Sequence, residues 1–287
     1  MIFFIFNMAI TKNRVKDYFK YVDIAYRVIW RDKDSLGMHL GFWYNNTKSH
    51  RESLLNHNLY LAKVAKVKSI DIILDAGCGV GGGSFWLYKK FKSKIYGISI
   101  SEKQIKKAKE YSKRKGIGSL IKFSVQDYLK TNFSNKKFTL IWAQESLQHE
   151  KNKMKFLKES YRLLKKRGRL VSSDYFATKK NYSIEEKKIL RKFTDGWAMQ
   201  DFILPEDFIK LAKKAGFKKV KYYDTTRLVG PSFKRLMGAY FFFKPIAETF
   251  SFLNYMKLNK ANINSVNVGN QTYKKKLWGT GVIYAEK

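Results

Sequence analysis

Five glycines follow a single carboxylate in the stretch "IILDAGCGVGGGSFWL", Ile72 to Leu87. Glycines at the end of an apolar strand let the backbone approach a ligand closely, and a pyrophosphate is the usual guest when a helix follows. Asp75, two residues before the first glycine, argues against that guest, because a carboxylate at the mouth repels phosphate and favours an ammonium group. The ligand is therefore expected to be cationic at this end. Further along, "ESLQH" supplies Glu145 and His149, and "SSDYF" supplies Asp174. Such groups remove or hold protons when they face a reacting atom.

These residues need elements to carry them. Apolar spacing predicts an amphipathic helix over Asn13–Trp30 and a second from the "SHRE" capping box at Ser49 to about Val67. Strands and helices then alternate. Strands are expected at Ile70–Leu74, Lys94–Ile98, Ile121–Val125, Thr139–Ala143 and Arg169–Asp174. Helices are expected at Gly83–Phe91, Glu102–Lys115 and Lys151–Lys165. That rhythm means βαβ units and an α/β, Rossmann-like parallel sheet with helices on both faces. Two helices, Glu185–Thr194 and Pro205–Ala215, precede strands at Lys218–Tyr223 and Trp278–Tyr284, with a long aromatic segment between those strands. Ligands on such a sheet bind beyond the carboxyl ends of the strands, where the strand order reverses.

Composition bounds the class. The chain has 287 residues, 45% hydrophobic and 16% aromatic, which suits one elaborated domain. We expect residues 1–68 to form an N-terminal helical cap, 69–228 with 271–287 the core, and 229–270 a helical lid. The single cysteine, Cys78, excludes an internal disulfide framework and a cysteine-rich metal site, so a cytoplasmic location is expected. The apolar "MIFFIFNMAI" falls short of the ~20 residues that span a bilayer and lacks a cleavage site. It is expected to pack on the surface or touch a membrane. Fifty-eight Lys and Arg against 23 Asp and Glu give a net charge of +35. Nucleic acid, an anionic membrane or an anionic substrate would all answer such a field. Composition bias answers it too, since the lysines spread over the whole length.

The segments "LDAGCGVGG", "GISISEKQ", "FSVQDYL", "FTLIWAQESLQHE", "FLKESYRLLKKRGRLVSSDYF" and "GNQTYKKKLWGTGVIYAEK" together resemble the class I S-adenosylmethionine-dependent methyltransferases. The resemblance is to the branch of tocopherol, sterol side-chain and related small-molecule enzymes, from about Met38 to the last strand. It implies a seven-stranded sheet whose last strand is antiparallel, and S-adenosyl-L-methionine as the cofactor. Asp75, Gly77 and Gly79 match the donor loop. The wider class ends its second strand with an acidic residue for the ribose; here Ser99 stands instead, with Gln104 five residues on. Gln104 also belongs to a capping box led by Ser101. Asp127 matches the residue for the adenine amino group, with Tyr128 beside the ring. Gln144 matches a residue lining the donor, and His39 one that closes over the donor carboxylate or, alternatively, packs between elements.

The same resemblance places the acceptor base at His149 and Asp174, with Glu145 orienting the donor or steadying a cation. Helix-start capping for His149 and a cap or turn role for Asp174 are the plainer readings. His50 and His57 read as surface or packing residues without carboxylate partners, and no metal site is visible. Large apolar groups in the aromatic segment, Phe233 to Tyr255, favour a lipophilic acceptor: a prenylated phenol, an isoprenoid or sterol-like alkene, or a hydrophobic amine. An RNA methyltransferase and a non-catalytic basic protein binding nucleic acid or membrane are the competing classes. No specific nucleic acid partner is expected, and peripheral membrane contact is expected through the N-terminus and the lysine-flanked "YFFFKP".

Overall fold

The computed structural model describes residues 10–26, 30, 35–117, 120–249 and 254–287. The apolar N-terminal stretch before Ile10 lies outside them, as does part of the first expected helix. That helix, α1, runs Lys12–Ala25, and Thr11 caps it by accepting from the Arg14 amide. The second, α2 (His50–Ala65), starts at Ser49, whose Oγ accepts from the Glu52 amide. Its reciprocal arm differs from a full capping box: Glu52 accepts from the amide of Lys48.

Alternation follows as the apolar spacing requires. The elements are β1 (Ile72–Ala76), α3 (Gly82–Phe91), β2 (Lys94–Ser99), α4 (Glu102–Arg114), β3 (Ile121–Val125), β4 (Phe138–Gln144) and α5 (Lys153–Leu163). Then come β5 (Leu164–Ala177), α6 (Ile184–Gly196), α7 (Pro205–Lys214), β6 (Lys218–Asp224), α8 (Thr226–Thr249), α9 (Asn254–Lys274) and β7 (Trp278–Glu286). The described parts of the aromatic segment are thus helical, in α8 and α9. Strand β5 is far longer than Arg169–Asp174, because it pairs antiparallel with β7 from Arg169 to Ala177. Long-range pairing, invisible to local periodicity, extends it.

The seven strands lie in the order β3-β2-β1-β4-β5-β7-β6, with β7 antiparallel to both neighbours. Central strands read as continuous apolar runs because helices cover both faces: Ile73 and Leu74, Leu140 to Trp142, and Leu170 with Val171 are all buried. The order reverses between β1 and β4, where the loops after those strands diverge and open a crevice. Among the described residues no helix is long and apolar enough to cross a membrane.

Candidate active site

The loop after β1 forms the crevice floor. Gly77 sits at φ +89° and Gly79 at φ +54°, the left-handed region that costs an L side chain. A Cβ on Gly77 would lie 2.4 Å from that of Ser146, whereas one on Gly79 meets only Met38 Sδ, at 3.6 Å. Gly77→Ala is expected to destabilise the fold by about 2–4 kcal/mol, through strain plus overpacking, and Gly79→Ala by about 1 kcal/mol. Thermal unfolding of the two variants side by side checks the ordering.

Asp75 ends β1 with only 3% of its surface exposed, and its Oδ2 accepts from Ser84 Oγ at 2.6 Å. Burial pushes its carboxyl up to about 6, and it meets no cationic side chain among the described residues. Across the loop, Ser99 Oγ donates to Gln104 Oε1 at 2.8 Å. Ser101 caps α4 by accepting from the Gln104 amide, but the Ser101 amide donates to Ser99 Oγ. The reciprocal arm of a capping box is therefore absent. The Gln104 side chain faces the cavity, and its Nε2 has no partner among the described residues. Gln104→Ala is accordingly expected to weaken binding of a ribose-bearing ligand about 5- to 10-fold, the worth of one neutral hydrogen bond. Calorimetry reads the affinity, and an unchanged affinity with a lower melting temperature would reject the contact.

The end of β4 supplies the opposite wall. Gln144 donates from Nε2 to Asn58 Oδ1 at 2.9 Å, and its Oε1 lies 3.5 Å from where a Cβ on Gly83 would stand. Glu145 follows at φ +47°, a conformation a non-glycine residue holds only when its surroundings impose it. Its backbone is held by the Glu145 amide donating to the Ser173 carbonyl at 2.8 Å, and its side chain by the Leu40 amide donating to Oε1 at 3.0 Å and the Tyr175 hydroxyl to Oε2 at 3.4 Å. Burial, with Asp174 nearby, raises this carboxyl to about 8, so it is largely protonated at neutral pH. A carboxyl whose folded value exceeds its unfolded one stabilises the fold fully below about 4.5 and loses that contribution as pH climbs to 8. Glu145→Gln should therefore match the parent near pH 5 and exceed it above pH 8, by at most about 5 kcal/mol. Denaturant melts at both pH values give the answer.

His149 sits in a short turn of 3-10 helix, Leu147–His149. Its Nδ1 donates to the Ala198 carbonyl at 2.8 Å, Phe19 packs against the ring at 5.3 Å, and burial lowers its value to about 4. The imidazole is neutral, with Nε2 left as the acceptor nitrogen. Asp174 lies in β5, and the amides of Leu147 and Gln148 at the start of that 3-10 turn help to hold its carboxylate, in keeping with a cap or turn role. It is buried and accepts from the Tyr175 amide at 3.0 Å. Burial raises it to about 6, against the pull of Lys153.

One cavity of about 190 Å³ joins most of these groups: His39, Asp75, Gly77, Gly79, Ser99, Gln104, Tyr128, Gln144, Glu145 and His149 all line it. Two candidates do not. Asp174 lies behind the wall, and Asp127 is held by the Lys12 ammonium of α1 and by the Leu129 amide at 2.9 Å. Tyr128 donates to the Ser146 carbonyl at 3.2 Å. The His39 Nδ1 donates to the Leu40 carbonyl at 3.0 Å, and its buried Nε2 has no partner among the described residues.

Sequence reasoning missed two supporting residues and misjudged one. Ser84 and Asn58 hold Asp75 and Gln144, as described. His57, read as lacking a carboxylate neighbour, lies 3.9 Å from Glu145 Oε1, fully buried. Burial keeps it neutral, so the contact is no ion pair. Its Nδ1 donates to the Leu40 carbonyl at 2.7 Å, Nε2 accepts from Ser173 Oγ at 2.9 Å, and the ring stacks on Phe42. It thereby fixes the loop whose Leu40 amide binds Glu145. The available signal was polar His57 and Asn58 on the same helical stripe as Leu54 and Leu61. His50 bonds the Trp30 carbonyl at 2.8 Å, a packing role.

The donor expected from the resemblance fits this cavity. Among the described residues, a buried carboxylate without a cationic partner, glycines at positive φ and an orphaned imidazole nitrogen at His39 are groups that suit a cationic, carboxylate-bearing nucleoside. Among the described residues no group of His, Cys, Asp or Glu is arranged to hold a metal ion.

Residues 68–221 match a family model described as a methyltransferase domain. The tocopherol O-methyltransferase of Arabidopsis thaliana is 28% identical over 71% of this chain and 62% of its own length. The norajmaline N-methyltransferase of Rauvolfia serpentina is 29% identical over 67% of each chain. The match thus spans about three fifths of the tocopherol enzyme. A solved [4+2]-cyclase, SpnF, superposes with a TM-score of 0.83 at 18% identity, covering 97% of both chains, a likeness of fold alone. With the family model matched over more than half its length, on the elements that build the crevice, this chain belongs to the methyltransferase domain family.

Proposed function

We propose that the chain is an S-adenosylmethionine-dependent methyltransferase acting on a lipophilic small molecule. The observation that carries the reading is that one cavity connects the Asp75 glycine loop to an apolar wall bearing His149 Nε2. Asp75 and the loop amides bind the amino-acid end of the donor, Ser99 with Gln104 the ribose, and Tyr128 the base. His39 is the residue that closes over the donor carboxylate. When bound, the donor supplies a methyl group already activated by a sulfonium. The protein's part is to align the acceptor, exclude water and take its proton. His149 is the base; Asp174, outside the cavity, acts only through its neighbours; Glu145 holds the Leu40 loop. The described part of residues 229–270 supplies the cover in this reading, and Tyr240 and Phe243 from it line the cavity.

Tocopherol and norajmaline enzymes methylate oxygen and nitrogen respectively, as their names say, so prenylated phenols and hydrophobic amines are the first acceptors to try. Calorimetry with the donor, its demethylated product and NAD tests the cofactor reading; NAD binding without donor binding would sink it. A labelled-donor screen of phenol, alkene, amine and RNA pools tests the acceptor. Faster labelling of RNA than of every lipophilic pool would overturn the acceptor class.

A further inference from the structure

Helix α8 has two contrasting faces. Leu236, Ala239, Tyr240 and Phe243 turn inward and line the cavity. Lys234, Arg235, Gly238, Phe241, Phe242 and Pro245 are all exposed, and their spacing places them on one stripe of the helix. Phe241 is 69% exposed and Phe242 67%. Single exposed apolar residues are ordinary, but two adjacent phenylalanines continuing a basic stripe form a patch. Helix α8 carries a single acidic residue, Glu248, at its C-terminal end.

We propose that this outer face of α8 docks on an anionic lipid bilayer, and that the acceptor passes from the bilayer to the cavity beneath the same helix. Basic residues followed by aromatic ones suit a helix lying in the interfacial plane, with charges at the headgroups and rings at the acyl boundary. Spanning is not required, and no described helix could span. The net charge of +35 favours an anionic surface and disfavours a second copy of the same like-charged chain. Docking stands independently of the reaction; the delivery of the acceptor rests on the lipophilic reading above.

Flotation of the full chain with vesicles of phosphatidylcholine alone, and of phosphatidylcholine mixed with phosphatidylglycerol, tests it. The chain should float with the anionic vesicles, and the bound fraction should fall as salt is raised. Phe241→Ser with Phe242→Ser should weaken partitioning roughly tenfold or more, the worth of partly burying two rings. Lys234→Gln should weaken it about fivefold. Donor affinity and the melting temperature should not move in either variant, which separates this proposal from the methyltransferase reading. Turnover of an acceptor embedded in anionic vesicles should fall in the phenylalanine variant while turnover of a detergent-dispersed acceptor stays level. Equal binding to neutral vesicles, or unchanged binding of the variants, overturns the proposal. So does self-association, or RNA binding, that the phenylalanine variant abolishes while vesicle binding is absent.

Discussion

His149→Ala is expected to lower kcat for a proton-bearing acceptor by roughly 10²- to 10⁴-fold, the usual worth of a positioned general base. The Ala198 carbonyl holds Nδ1 as the donor nitrogen, so the lone pair on Nε2 is the one available to a substrate. Burial, opposed only by that carbonyl, keeps the ring unprotonated down to about pH 4. The base is thus ready across the whole neutral range, and kcat in the donor-saturated protein should stay flat from neutrality to about pH 5. A buried neutral histidine stabilises the fold above about 6.5 and loses that contribution as pH falls toward 4, so acid sensitivity should diminish in the variant. Donor affinity should not change, because Asp75 and the loop lie on the other wall. Added imidazole should restore part of the rate, which a ring that only packs against Phe19 would not explain. An alkene acceptor without a proton on the attacked carbon would show a smaller loss at the first step, so the size of the effect also reports the acceptor's chemistry.

The parts legible in the sequence were those encoded locally. Asp75 and the glycines announce their loop because backbone conformation and neighbouring charge are properties of a few consecutive residues. Strands β1, β2, β3 and β4 are legible to within two residues, the inner ones because burial on both faces writes itself as an apolar run and the edge strand β3 because Ile121 and Phe123 alternate with Lys122 and Ser124. What escaped depends on partners far along the chain. Lys12 reaches Asp127 across 115 positions and occupies the carboxylate that resemblance assigns to adenine. His57 reaches Ser173 across 116, and nothing near His57 in sequence signals a bond to β5. The left-handed backbone of Glu145 is equally silent, because its amide is held by the Ser173 carbonyl of β5 and its carboxyl by Leu40 and Tyr175, all distant in sequence. Gln104 lay between the cases: the cap was readable at Ser101, but the turn of its side chain toward Ser99 was not.

Asp75→Asn is expected to weaken donor binding by roughly 10²-fold, the cost of losing a charge-assisted hydrogen bond in a buried site, while leaving the unliganded fold as stable or more so. The asymmetry comes from burial. In the free protein the carboxylate is closed off from water, supported by Ser84 Oγ, and without a cation among the described residues, which is why its value rises to about 6. Keeping it ionised at neutral pH costs about 3 kcal/mol relative to the unfolded chain. Its stabilising contribution is complete below about 3.8 and is lost as pH rises through 6, so the parent should gain thermal stability on mild acidification where the asparagine variant does not. An ammonium group arriving with the donor supplies the missing charge and pulls the carboxyl back down, so binding should release a proton near pH 6 in the parent and none at this site in the variant. Donor affinity, and with it kcat/KM, should fall as pH drops below about 6 even though His149 remains unprotonated there. Calorimetry in buffers of different ionisation enthalpy measures that proton directly. A parent that binds the donor with no proton release near pH 6, or an asparagine variant of undiminished affinity, would remove Asp75 from the donor's amino group and return it to a structural partner of Ser84.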